Sequence, residues 1–168
     1  TYCYRVAAAV GLACLPVLGA TSDGARTFAD ALGHALQRTN ILRDLAGDAR
    51  GGRCYVPASW LAAAGVDRAW LDGSGPAAAY APDGPVAVLC ARLAAAARTQ
   101  FARAHAALRS LPRRERRALV PARIMGAVYE TLLGKLEQQR GDVRRPRVRL
   151  GKLHKLCIVL QVFFGVRA

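Results

Sequence analysis

The sequence predicts an all-α fold on three observations. Hydrophobic residues make up 53% of the 168 residues, and much of that share is alanine, the strongest helix former. Two long segments repeat their apolar residues at three- and four-residue spacing, while no segment alternates apolar and polar residues as a half-buried strand does. Gly51-Gly52, Pro57, the 72–85 stretch and Pro112 punctuate the gaps between segments.

The elements follow in chain order. Residues 1–19 are small and apolar, which predicts a helix interrupted near its end by Pro16 and Gly19. Thr21-Ser22-Asp23-Gly24 reads as a turn with capping residues. From Ala25 to about Arg50 the apolar set Phe28, Ala31, Leu32, Ala35, Leu36, Ile41, Leu42 and Leu45 predicts a second helix, stopped by Gly51-Gly52. Residues 53–57 are too few and too close to Pro57 for a strand, and 60–66 read as one or two helical turns. A Pro/Gly-rich connection over 72–85 leads to an alanine-rich helix, 85–111, closed by Pro112. Residues 113–140 read as a helix with a bend or a late start at Pro121. A basic loop, 140–149, precedes a last helix from about residue 151. The length suits one domain or part of one, with a real core.

Charge narrows the partners without choosing one. Twenty-five Lys+Arg against 11 Asp+Glu leave a net +14, which fits nucleic acid, membrane headgroups or a phosphorylated substrate, and equally a solvated basic surface. The clusters at 113–117 and 140–155 flank or interrupt helices, and no aromatics interleave to stack on bases, so no nucleic acid is expected. Five dispersed cysteines without a C-x-x-C predict reduced thiols and a cytoplasmic protein. No apolar run reaches the ~20 residues of a membrane span. The stretch LCIVLQVFFGV, 156–166, reads as a packed last helix or an interfacial patch, which allows peripheral membrane contact.

The segment QRTNILRDLAGDARGGRCYVP, 37–57, carries the chemistry. Asn40, Asp44 and Asp48 stand at four-residue steps, so on a helix they form an oxygen-only ladder with Gln37 one turn before. Hard cations such as Mg²⁺ take one or two carboxylates and leave further positions to water and phosphate oxygens. Arg43, Arg50 and Arg53 suit those phosphates. The same spacing also occurs in exposed ion pairs worth only ~0–1 kcal/mol. Two features favour a geometric purpose: Asn40 in mid-helix, and Gly33 and Gly47, each costing ~1 kcal/mol there against Ala.

The stretch from Leu32 to Pro57 resembles the second aspartate-rich motif of the squalene/phytoene synthase family. Tyr2-Cys-Tyr-Arg-Val-Ala-Ala-Ala-Val-Gly11 resembles the helix before it, and Met125-Gly-Ala-Val-Tyr129 and Arg147-Val-Arg-Leu-Gly-Lys152 resemble later landmarks. Tyr-Cys-x-Arg-Val and Arg-Val-Arg-Leu are most similar to the presqualene diphosphate synthase branch of hopanoid biosynthesis.

The resemblance implies an isoprenoid-synthase helical bundle that joins two farnesyl diphosphates head-to-head, with Mg²⁺ drawing off diphosphate. It implies that Asn40, Asp44 and Asp48 hold Mg²⁺ and that Gln37, Arg43 and Arg53 line the diphosphate site. Arg147 is implied as a further phosphate contact, and Tyr2 and Tyr129 as neighbours of the reacting carbons. Val6, Val10 and Leu36 are expected as cavity wall or core. Gly47 stands where family members commonly have Glu, and Arg38 where they have Leu. No first aspartate-rich motif precedes this one, so residues 1–168 are expected to be the C-terminal portion of a single domain lacking its N-terminal helices, inactive alone. The alternatives are phytoene or dehydrosqualene synthesis, and a basic helical module that binds anionic membrane or nucleic acid.

Overall fold

The computed structural model describes residues 1–164, and all regular structure among them is helical. The chain opens on a π-helical turn, Tyr4–Ala8, that runs directly into α1, Ala9–Leu18. Pro16 does not interrupt this helix as expected; it lies inside it. Pro16 removes the N–H that would pair with the Leu12 carbonyl one turn before it, and the helix ends two residues later. Gly19 makes the stop, at φ 79°, with its N–H on the Pro16 carbonyl and the Ala20 N–H on Leu15.

Helix α2, Asp23–Arg50, is the axis of the fold. The Ser22 hydroxyl caps it by accepting the Ala25 N–H. Glu115 holds that cap, accepting the backbone N–H groups of Thr21 and Ser22 and the Ser22 hydroxyl. Of the apolar set expected from spacing, Phe28, Ala31, Leu32, Ala35, Ile41, Leu42 and Leu45 are buried in the core, and Leu36 is half-buried against it. Gly33 has a packing reason: a Cβ there would lie 2.5 Å from the Ala8 Cα, so its absence lets the opening turn cross α2 backbone to backbone. Gly47 has none, since a Cβ there meets nothing within 4 Å.

Short helix α3, Ala58–Ala64, and 3₁₀ turns at Arg68–Asp72 and Ala77–Tyr80 lead to α4, Pro85–Ser110, which packs along α2. Arg38 spans that pair, donating to the Ala96 carbonyl at 3.2 Å. The expected 113–140 helix is two: α5, Arg113–Ala118, and α6, Val120–Gln138. They part at Leu119 (ψ 7°), and Pro121 sits in the first turn of α6, where it is tolerated. Helix α7, Lys152–Phe163, packs on α6 and buries Ile158 and Val162. Gly165 and Val166 of the apolar tail lie outside the described residues. Leu36 packs against the core, but Val6 and Val10 are exposed, because no described element covers their face.

Candidate active site

Asp44 and Asp48 lie one turn apart on the C-terminal half of α2, and both line a cavity of about 840 Å³. Its walls come from α2, α4, the end of α6 and the 139–148 segment, with Leu42, Ala94 and Val148 giving it an apolar lining. The 139–148 segment is seated by Gly141, at φ 73°, where a Cβ would lie 2.5 Å from the Ala87 Cα of α4. Arg144 seats it further by stacking over Tyr80 at 4.7 Å while pairing with Asp142 at 2.9 Å.

The seating brings Arg147 to Asp44. Arg43 grips the same carboxylate as a fork, Nε to Oδ1 at 3.0 Å and Nη2 to Oδ2 at 2.6 Å, and Arg147 Nε adds a contact to Oδ1 at 2.6 Å. Burial pushes the Asp44 carboxyl up, but the two guanidiniums outweigh it and hold the group at about 2. Asp44 in turn keeps Arg43 charged, against burial and with help from the Tyr129 phenol beside it. Asp48 pairs with Arg53, whose Nε and Nη2 stand 3.3 and 3.1 Å from Oδ1.

Asn40 sits one turn before Asp44, half-buried and outside the cavity lining, with its Nδ2 3.5 Å from Gln37 Oε1. Its Oδ1 is buried and has no hydrogen-bond partner. That orphaned carbonyl oxygen and the carboxylates one and two turns further along α2 are an oxygen-only donor set, whose chemistry fits a hard divalent cation. No three His, Cys, Asp or Glu side chains gather among the described residues, so any such cation needs the amide and exogenous oxygens. Tyr2 stacks on Tyr55 with centroids 4.7 Å apart. Burial first, then the Tyr55 hydroxyl, raise the Tyr2 phenol.

Sequence reasoning gave no role to Tyr55, Arg98 or Glu137. Tyr55 stood in the motif as quoted, and only the fold shows its ring against Tyr2. Arg98 and Glu137 face the cavity and pair at 2.6 Å across α4 and α6, a contact between residues 39 apart that no local pattern reveals.

Residues 1–154 match the squalene/phytoene synthase family. The chain belongs to that family. It is 36% identical over 160 residues to a presqualene diphosphate synthase of Rhodopseudomonas palustris, covering 95% of this chain and 54% of the relative. It is 35% identical over 154 residues to a phytoene synthase of Mycobacterium tuberculosis, covering 92% of this chain and 49% of that one. A dehydrosqualene synthase crystal structure superposes with a TM-score of 0.77 at 25% identity, over 98% of this chain and 55% of that one. The squalene synthase HpnC from Alicyclobacillus acidocaldarius superposes at 0.65 with 28% identity, over 83% and 49%. The chain thus spans about half the length of the squalene/phytoene synthase relatives it matches.

Proposed function

We propose that the protein carrying this chain is a Mg²⁺-dependent, head-to-head prenyltransferase that condenses two farnesyl diphosphates to presqualene diphosphate. We propose further that residues 1–168 supply the C-terminal portion of its catalytic domain. The observation that carries the reading is the Asp44 carboxylate, held charged between Arg43 and Arg147 at the wall of a largely apolar cavity. Two cations and one anion in contact leave a surplus positive charge, which suits a diphosphate. Asn40, Asp44 and Asp48 would hold Mg²⁺, whose charge when bound stabilises a departing diphosphate.

Arg43 and Arg147 serve as phosphate anchors that trade Asp44 for substrate oxygens, and Gln37 beside Asn40 and Arg53 beside Asp48 are further diphosphate contacts outside the cavity lining. The Tyr2–Tyr55 stack and Tyr129 offer aromatic faces to an allylic cation near Asp48 and Arg43. The leucine and alanine walls of the cavity offer apolar surface to the isoprenoid chain.

Phytoene or dehydrosqualene synthesis is the second reading, favoured by a phytoene synthase relative at nearly equal identity and by the dehydrosqualene synthase fold at 25% identity. Product analysis of the full-length protein with farnesyl diphosphate and Mg²⁺ separates the two. Presqualene diphosphate is expected, with Asp44→Asn lowering turnover by about 10²-fold or more, the scale of losing one aimed charge-stabilising group. A dehydrosqualene-type C30 product from farnesyl diphosphate, or C40 phytoene formed when a C20 prenyl diphosphate is supplied in its place, overturns the product assignment. Undiminished turnover in Asp44→Asn overturns the site. The chain of 168 residues, assayed separately, is expected to be inactive, and turnover matching the full protein would refute that.

A further inference from the structure

Helix α6 gives way to the 139–148 segment through two successive left-handed residues, Arg140 at φ 50° and Gly141 at φ 73°. Glycine is required at 141 for two reasons: the backbone favours it, and a Cβ would lie 2.5 Å from the Ala87 Cα. At 140 the backbone favours glycine as well, since a Cβ in this region crowds the following carbonyl, yet the chain carries arginine. Among the described residues Arg140 is the one non-glycine with positive φ. Its side chain is exposed, so burial does not offset the strain.

Arg140 lines the cavity together with five other arginines, and those five are engaged. Arg43 and Arg147 hold Asp44, Arg98 holds Glu137, Arg145 faces Asp142 at 3.6 Å, and Arg50 donates to the Asp72 carbonyl. Among the described residues, Arg140 alone of the six has no side-chain hydrogen bond or ion pair. Its backbone N–H is satisfied by the Glu137 carbonyl at 3.0 Å, so the guanidinium is the group left without a partner. An unpaired cation kept at a cavity wall by a strained backbone points to function rather than packing.

We propose that Arg140 is a substrate-binding residue, a second diphosphate anchor in the cavity that is separate from the Arg43–Arg147 clamp. The inference rests on the function proposed above, in which a head-to-head condensation brings two diphosphates to one site and the product keeps one of them. Arg43 and Arg147 converge on a single carboxylate, so together they suit one diphosphate. Arg140 enters the same cavity from the start of the 139–148 segment and offers a planar, unoccupied fork to the other. The close approach of Gly141 to Ala87 fixes the turn, so the Arg140 Cα is held in place before any ligand arrives.

The test is calorimetric titration of the full-length protein with inorganic diphosphate, in wild type, Arg140→Gly, Arg140→Gln and Arg147→Ala. Wild type should bind two equivalents. Glycine relieves the left-handed strain and removes the charge, so Arg140→Gly should melt at or above the wild-type temperature while one of the two binding events weakens about tenfold. Arg140→Gln keeps a side chain in the strained turn without its charge, and should lose the same event. A purely structural Arg140 predicts instead that the glycine variant binds as well as wild type, because glycine suits φ 50° best. Both events unchanged in Arg140→Gly and Arg140→Gln, or a single equivalent bound by wild type, overturns the proposal. Arg147→Ala should weaken the other event. If Arg147→Ala binds as wild type does, or wild type takes up no diphosphate, the reading of the cavity itself fails and this inference falls with it. Weakened binding in Arg147→Ala beside unchanged binding in both Arg140 variants refutes the Arg140 assignment alone.

Discussion

Arg147 Nε donates to Asp44 Oδ1 at 2.6 Å, joining two residues 103 positions apart in the chain. This contact ties the 139–148 segment to α2 and closes one side of the cavity. Arg147 is about half exposed, so the pair adds only ~0–1 kcal/mol to stability. Its larger effect is on the carboxylate and on anion binding. Arg147→Ala should leave the melting temperature nearly unchanged while the Asp44 carboxyl, now at about 2, moves up toward its ordinary 3.8. A carboxyl-carbon NMR titration reads that shift. Inorganic diphosphate should bind about tenfold more weakly, and Arg147→Lys should restore only part of the loss, because an ammonium lacks the planar fork.

Asp44 also predicts a pH dependence. Its folded pKa lies below the unfolded value, so its contribution is complete above about pH 4 and is lost as pH falls toward 2. The shift corresponds to at most about 2.5 kcal/mol, less for the solvent reaching Arg147. Urea unfolding at pH 5 and at pH 2.5 should therefore show a larger stability loss in the wild type than in Asp44→Asn. Equal losses in the two proteins would mean that the arginines do not hold this carboxylate in solution.

The helices were legible because their signals are local. Ser22, Gly51 and Pro112 mark ends by hydrogen-bonding chemistry that acts within a few residues, and the apolar spacing of 28–45 reports the buried face directly. Asp44 and Asp48 were legible for the same reason, since a four-residue step fixes a shared face. What sequence did not show depends on distant partners. Pro16 reads as a breaker, yet the helix continues through it for two residues and ends at Gly19. Gly33 and Gly47 look alike in sequence, and only the crossing of Ala8 separates them. The outward side of α7 likewise needed α6 in place to show which apolar residues were left over.

The cap of α2 should behave as a unit. Ser22→Ala removes the acceptor of the Ala25 N–H and should cost about 1 kcal/mol. Glu115→Ala should lower the melting temperature as well, since three donors of the 21–22 turn lose their acceptor. Because the two share the contact through the Ser22 hydroxyl, the double variant should lose less than the sum of the singles. Full additivity, measured by chemical unfolding, would separate Glu115 from the cap.

The same substitution at two glycines of α2 should have opposite signs. Replacing either glycine by alanine gains up to ~1 kcal/mol of helix propensity. At Gly47 nothing opposes the gain, because the new methyl meets open space beside the cavity, and Gly47→Ala should raise stability by most of that amount. At Gly33 the methyl would lie 2.5 and 2.7 Å from the Cα and N of Ala8, backbone atoms that move only if the whole opening turn moves. Overpacking of that kind costs roughly 1–3 kcal/mol, so Gly33→Ala should be destabilising on balance. The displaced turn carries Tyr4–Ala8 and adjoins Tyr2, so the Tyr2–Tyr55 stack should loosen too, visible as a change in near-ultraviolet circular dichroism. Urea unfolding of both variants decides the matter: a Gly33→Ala protein as stable as Gly47→Ala would show that the opening turn is not held against α2 as closely as 2.5 Å implies.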